Sequence, residues 1–203
     1  MLPLLLSVVV ISLSGVMMPG PMFAVTLAKS YRSPWAGARV SLGHAVIEVP
    51  LILLIYFGFA RFFANSAVQL VLSLLGGAMI IGMGVVMFRA RAEVVQRGKD
   101  LHYGALVAGI MTSGLNPYFL LWWATIGSLL VMKFLDFGAA GLILLIVVHW
   151  LCDLAWLSFL SIVVYRTHSL WRLKYQEWLF ITCSLLLIGF GIWFLVSAIP
   201  AAV

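Results

Sequence analysis

Apolar residues run along this chain in long unbroken stretches rather than alternating with polar ones. Six stretches stand out, residues 3–29, 38–61, 66–88, 104–132, 138–164 and 178–198. Each has about the 20 residues that carry a helix across the hydrocarbon of a bilayer. No period of two is present, and backbone exposed to lipid must satisfy its hydrogen bonds within its own segment. The pattern therefore predicts helices and no strands. The expected fold is an all-α membrane protein of six transmembrane helices, with residues 1–203 forming a single domain.

The first and fourth stretches are overlong and interrupted, one by MMPGPMF (17–23) and the other by TSGLNPYF (112–119). Proline removes a helix hydrogen bond and turns the preceding residue away from the helical region, so both helices are expected to break near mid-membrane. RARAEVVQRGKDLHY (89–103) is a polar connection, expected to be a loop or a short surface helix. It divides the chain into a first repeat, about 1–88, and a second, 104–203.

In each half the broken helix is followed by a helix bearing a histidine with an acid four residues on, His44 with Glu48 and His149 with Asp153. Three spans per half is an odd number, so the second half is expected to lie upside down relative to the first. Inverted repeats with paired broken helices mark transporters, and their sites lie where the breaks meet. The echo is in the order of features; residue identity between the halves is low.

Composition supports a lipid-solvated protein. Of 203 residues 65% are hydrophobic and 9% charged, whereas a soluble domain is about half apolar and about a quarter charged. The net charge of +6 comes from short basic clusters between the apolar stretches. That distribution speaks against a nucleic-acid partner and for the positive-inside rule. Of the twelve Lys and Arg residues, all but Arg61 and Lys133 fall in the first, third and fifth connections. Those connections are expected in the cytoplasm, with both termini extracytoplasmic and the protein multi-pass in the plasma (inner) membrane. The N-terminal stretch has no basic region before its apolar run and continues through Pro-Gly-Pro, unlike a cleaved signal peptide. Cys152 and Cys183 stand alone in apolar segments and are read as packing residues.

Candidate chemistry follows from the cost of polar groups in lipid. Residues four apart share one helix face, so His44 can bond Glu48 and His149 can reach Asp153. A carboxylate at membrane depth is protonated, paired or turned to an aqueous cavity. The bland reading is two structural pairs; the functional one is a substrate or proton path. A broken helix exposes amide N–H groups at the start of its second half and carbonyls at the end of its first, a match for the carboxylate and ammonium of a zwitterion. Asn116 adds a neutral amide beside Pro117. Gly76, Gly77, Gly82 and Gly84 are expected to permit close helix contact. Glu48 is the expected proton-coupling carboxylate, with His44 tuning it and Asp153 opposite. Burial favours the neutral acid and a nearby imidazolium the ionised one.

PGP at 19–21, AGARVSLGHAVIE at 36–48, LGGAMIIGMGVVMFR at 75–89, GIMTSGLNP at 109–117, DLAW at 153–156 and LIGFGIWFL at 187–195 occur in that order. Through them the chain resembles, over nearly its whole length, the lysine-exporter (LysE/RhtB) family of amino-acid efflux permeases. The resemblance implies a six-helix secondary exporter, often a homodimer, driven by the proton gradient and carrying amino acids or similar small solutes outward. Matched by position, Pro19, Gly20, Pro21, Glu48, Asn116, Pro117 and Asp153 correspond to the family's motif residues. His44 and His149 come from the residues themselves. Met22 stands where the family usually has Asn, Tyr118 where Lys is frequent, and Ile47 where Gly commonly precedes the acid. The Pro-Gln-Phe found near the end of helix four is missing.

The alternative is a divalent metal cation exporter, since two histidines and two carboxylates could supply four N/O ligands; no metal site is otherwise assigned. A thiol-redox carrier would need cysteines at the breaks, which hold none. Without P-loop, HExxH or GxSxG, no cofactor and no enzymatic activity are expected.

Overall fold

The computed structural model describes residues 2–18, 20–59, 62, 65–97 and 100–198. Pro19, one of the expected site residues, lies outside them, as do Arg61 and Lys99. Among the described residues the chain is helical and contains no strand.

Helix α1 (Leu2–Val16) and helix α2 (Pro21–Ser30) flank the first break and are bent by 74°. Pro21 opens α2, where its missing N–H costs nothing. Helix α3 (Ala36–Tyr56) continues through Pro50. Helix α4 (Ser66–Arg97) runs on past residue 88 and takes up most of the polar connection. Its extension is rich in Arg, Ala, Glu and Gln and has no Gly or Pro before Gly98, so nothing stops the helix at the end of the apolar stretch. Helix α5 (Ala105–Gly114) ends at the second break and α6 (Pro117–Trp122) begins beyond it. A π turn, Trp123–Gly127, joins α6 to α7 (Ser128–Phe134). After the 3₁₀ turn Leu135–Phe137 comes α8 (Gly138–Thr167), and after His168–Leu170 comes α9 (Leu173–Ser197).

Among the described residues four runs are long and apolar enough to cross a membrane: Ala36–Tyr56, Ser66–Val95, Pro117–Leu170 and Leu173–Ser197; the bent pair α1 and α2 adds a fifth. Ala105–Gly114 is a shorter apolar helix. The Pro117–Leu170 run has 54 residues, which as one straight helix would measure about 80 Å against a hydrocarbon core of about 30 Å. It is broken at Gly138, whose φ of +59° lies in the left-handed region and favours a residue without Cβ.

Helix α3 packs against α5 and α8, α1 and α2 against α8, and α4 against α9. Lipid is as apolar as leucine, so these contacts depend on close approach rather than on escape from water. A Cβ on Gly43 would lie 2.0 Å from the Leu106 carbonyl oxygen, and one on Gly109 would lie 2.1 Å from that of Val40. The α3–α5 crossing therefore requires glycine from both sides. Gly76, Gly77 and Gly84 also sit against neighbouring backbone, whereas Gly82 meets nothing within 4 Å. Leu6, Val10, Val46, Leu129, Ile143 and Leu185 are exposed, while Ser12, His44, Glu48, Ser113, His149 and Asp153 are buried. Apolar outside and polar inside is the distribution of a multi-pass membrane protein.

Lys29, in the last turn of α2, is buried, and its Nζ donates to Asp100 Oδ1 (2.9 Å) and to the Leu101 carbonyl (3.2 Å). It also lies 5.0 Å from the centre of the Tyr103 ring. Arg32 Nη2 donates to the Val94 carbonyl at 2.7 Å. Together these bonds strap the end of α4 and residues 100–103 to α2, the second half of the first broken helix, and the turn after it.

Candidate functional site

Glu48 is the meeting point of both halves. It is 1% exposed, in the middle of α3. Its Oε1 is contacted by His44 Nε2 at 2.9 Å from one turn back, by His149 Nε2 at 3.0 Å from α8, and by Trp123 Nε1 at 3.3 Å from the π turn. Asp153 Oδ2 lies 3.7 Å from His44 Nε2 and 3.8 Å from His149 Nε2. The expected His44–Glu48 bond is formed. His149 does reach Asp153, at an ion-pair distance of 3.8 Å, but its hydrogen bond goes across to Glu48.

The other ring nitrogens are held alike. His44 Nδ1 lies 2.7 Å from Ser113 Oγ on α5, and His149 Nδ1 lies 2.6 Å from Ser12 Oγ on α1. Each hydroxyl gives its hydrogen to the carbonyl four residues back, Ser12 to Val8 (2.6 Å) and Ser113 to Gly109 (2.7 Å). Each serine oxygen therefore accepts from a histidine Nδ1–H, a tautomer assigned from the bonding pattern. Both Nε2 atoms then face the same Oε1, and each contact needs one hydrogen. Two protons are thus shared among His44, His149 and Glu48 beyond those on Nδ1. An ionised Asp153 would bring the net charge of the buried cluster to zero, the arrangement that costs least in a low-dielectric site.

Beside the cluster lies a cavity of about 120 Å³, lined in part by residues of both breaks. Gly20, Pro21, Met22 and Asn116 line one part of it, Phe119, Trp122, Phe190 and Phe194 another, and His44, Glu48, His149 and Asp153 its polar side. A larger hollow of about 620 Å³ between α3 and α4 is walled by Val46, Leu54, Val71 and Leu72 and, among the described residues, bears no ionisable group. Its chemistry is that of a lipid-facing surface.

The two breaks differ. Asn116 caps α6, its Oδ1 accepting from the N–H of Tyr118 (3.1 Å) and of Phe119 (3.3 Å), so those two amides are already satisfied. At α2 the cap is Gly20, which has no side chain to offer. Pro117 serves α6 as Pro21 serves α2, filling a first-turn position that needs no donor.

The structure brings together Gly20, Pro21, His44, Glu48, Asn116, His149 and Asp153 around one cavity; Pro117 adjoins it in the first turn of α6. Ser12, Ser113 and Trp123 are equally part of the arrangement, and the sequence alone assigns them no chemistry. Ser113 lies within the TSGLNP motif, but a serine in a helix ordinarily bonds only its own backbone. Trp123 is aimed at Glu48 by the π turn, a local irregularity that often accompanies functional sites.

No curated protein and no solved structure matches the chain. The model of the LysE type translocator family matches residues 13–198. This span holds both breaks, both histidine–carboxylate helices and the cavity between them, and the chain belongs to the LysE type translocator family.

Proposed function

We propose that the protein is a proton-driven secondary exporter of amino acids or related small metabolites in the plasma membrane. Family membership makes it a membrane transporter; the coupling and the cargo are the further step. The observation that carries this step is Glu48 Oε1 shared between His44 and His149, from opposite halves, at the wall of a cavity beneath two broken helices.

Coupling follows from charge balance. With two shared protons and an ionised Asp153 the cluster is neutral. Loss of one proton leaves a single negative charge, which the ammonium of a solute neutralises. Proton and solute therefore take turns at the same carboxylates, the requirement for exchange. Burial of a net charge is costly enough to disfavour the carrier that holds neither. The groups facing Glu48 are His44, Trp123, His149 and Asp153.

In this reading α1 with α2, α3 and α4 form one repeat, and α5 to α7, α8 and α9 form the second, inverted one. Supporting it, the α3–α5 contact has its counterpart in α8 with α1, and the His44–Ser113 bond its counterpart in His149–Ser12. The 54-residue run counts as two passes turning at Gly138. Connections one, three and five then face the cytoplasm, with the Lys29–Asp100 strap on that side.

The rival cargo, a divalent cation, has its own support: His44, Glu48 and Asp153 each offer a ligand atom, all within 4.8 Å of one another. Against it, the remaining cavity wall is largely aromatic rather than oxygen-bearing. One screen separates the two. Inverted vesicles with an acid interior are offered labelled amino acids, Zn²⁺ and Mn²⁺. Uptake of an amino acid that collapses with the pH gradient supports the proposal; uptake of metal ions alone replaces it with the rival.

A further inference from the structure

We infer that the cavity recognises its solute as a primary amine with an apolar body, and that a carboxylate on the solute is dispensable. This rests on the export reading and names the class of solute that the site fits. Glu48 Oε2 and Asp153 Oδ2 are both buried and, among the described residues, have no hydrogen-bond partner. Both residues line the cavity. A buried carboxylate oxygen left without a hydrogen bond keeps its full desolvation cost, and an ammonium, with three donors, can satisfy two such acceptors at once.

The aromatic lining fixes the rest of the solute. Phe119, Trp122, Phe190 and Phe194 line the same cavity, with the Phe119 ring centre 4.9 Å from that of His44 and the Trp122 ring centre 5.8 Å from that of His149. Such rings suit an alkyl or aryl group and stabilise a nearby cation through their π faces. Among the described residues no Lys or Arg lines the cavity; the nearest candidate in α2, Lys29, is engaged by Asp100. A second carboxylate on the solute would find no partner. A second ammonium would have to be buried among the rings.

The α-carboxylate is the weakly held group. The amides at the start of α6 are taken by Asn116, leaving the short first turn of α2 at Gly20 and Pro21 as the positive end near the cavity. The site thus holds the amine with two full carboxylates and the acid with a helix end alone. It is built to tolerate loss of the acid.

Isothermal titration of the purified full-length protein with five probes tests this: phenylalanine, 2-phenylethylamine, 3-phenylpropionate, lysine and aspartate. The expected order is phenylalanine and phenylethylamine within about tenfold of each other, with the other three at least tenfold weaker. Asp153→Asn is expected to weaken both amines, and Trp122→Ala to weaken both while leaving the protein folded by thermal melt. Binding of phenylpropionate as tight as that of phenylethylamine overturns the inference. So does tight phenylalanine binding with no phenylethylamine binding, or a preference for lysine or aspartate. Those outcomes leave amino-acid export standing. Failure of every probe to bind, with no pH-driven uptake of any amino acid in vesicles, removes the export reading as well.

Discussion

Asn116 shows how one side chain can set the geometry of a break. Its Oδ1 holds two amides at the start of α6, and loss of such a cap typically costs about 1 kcal/mol. That loss is small for the fold but it frees the segment carrying Phe119, Trp122 and Trp123. Asn116→Leu is expected to yield assembled protein with export reduced about tenfold or more, whereas Asn116→Ser, which keeps an acceptor, retains most of it. Initial export rates normalised to expression decide the point; an active Leu variant shows that the cap is not needed. His44 and His149 make a second residue-scale case. Both bond the same Glu48 oxygen, so they act as one unit and their substitutions do not add. His44→Ala and His149→Ala are each expected to cut export at least tenfold, with the double variant little worse than either. Strictly multiplicative losses in that double-mutant cycle would separate their roles. The i, i+4 spacing made the His44–Glu48 bond legible in the sequence. The bond from His149 to Glu48 was not, because it depends on how α3 and α8 are set against each other.

Among the elements, the breaks were readable because proline acts locally, and helix α4 outran its apolar stretch because a charged helix needs no lipid. The π turn carries no local signal; its role is visible only in where Trp123 points. The Lys29 strap joins two elements whose proximity no sequence pattern announces. Its two partners differ sharply, Lys29 Nζ being buried while the Asp100 side chain is 52% exposed. Removing Lys29 leaves a carboxylate that water can solvate. Removing Asp100 leaves a buried ammonium with the Leu101 carbonyl as its remaining hydrogen-bond acceptor, a loss of up to about 3 kcal/mol. Asp100→Ala is therefore expected to lower the melting temperature clearly more than Lys29→Met. The opposite order in thermal melts of the two purified variants would show that the ion pair does not hold the strap.

At the scale of the molecule, the orientation proposed from hydrophobic segmentation and the distribution of Lys and Arg puts the 100–103 strap in the cytoplasm and the start of α1 outside. Cys152 and Cys183 are buried, so an introduced thiol can be labelled selectively. An impermeant maleimide added outside intact cells is expected to modify Leu2→Cys, at the exposed start of α1, and to spare His102→Cys until the membrane is opened. The reverse pattern inverts the protein and moves the strap to the opposite mouth.

The account rests most heavily on Glu48 as the group at which proton and solute alternate. Glutamine keeps its size and can still bond to neighbouring rings, but it cannot carry the proton. Proteoliposomes holding Glu48→Gln, preloaded with the transported amino acid, are compared in two conditions: counterflow with no pH gradient, and accumulation after a pH step. Counterflow is expected to persist at raised solute concentration, with Asp153 still holding the amine, and pH-driven accumulation to vanish at every concentration, with melting behaviour close to that of the unmodified protein. Full accumulation by Glu48→Gln would contradict the account and pass the coupling role to Asp153.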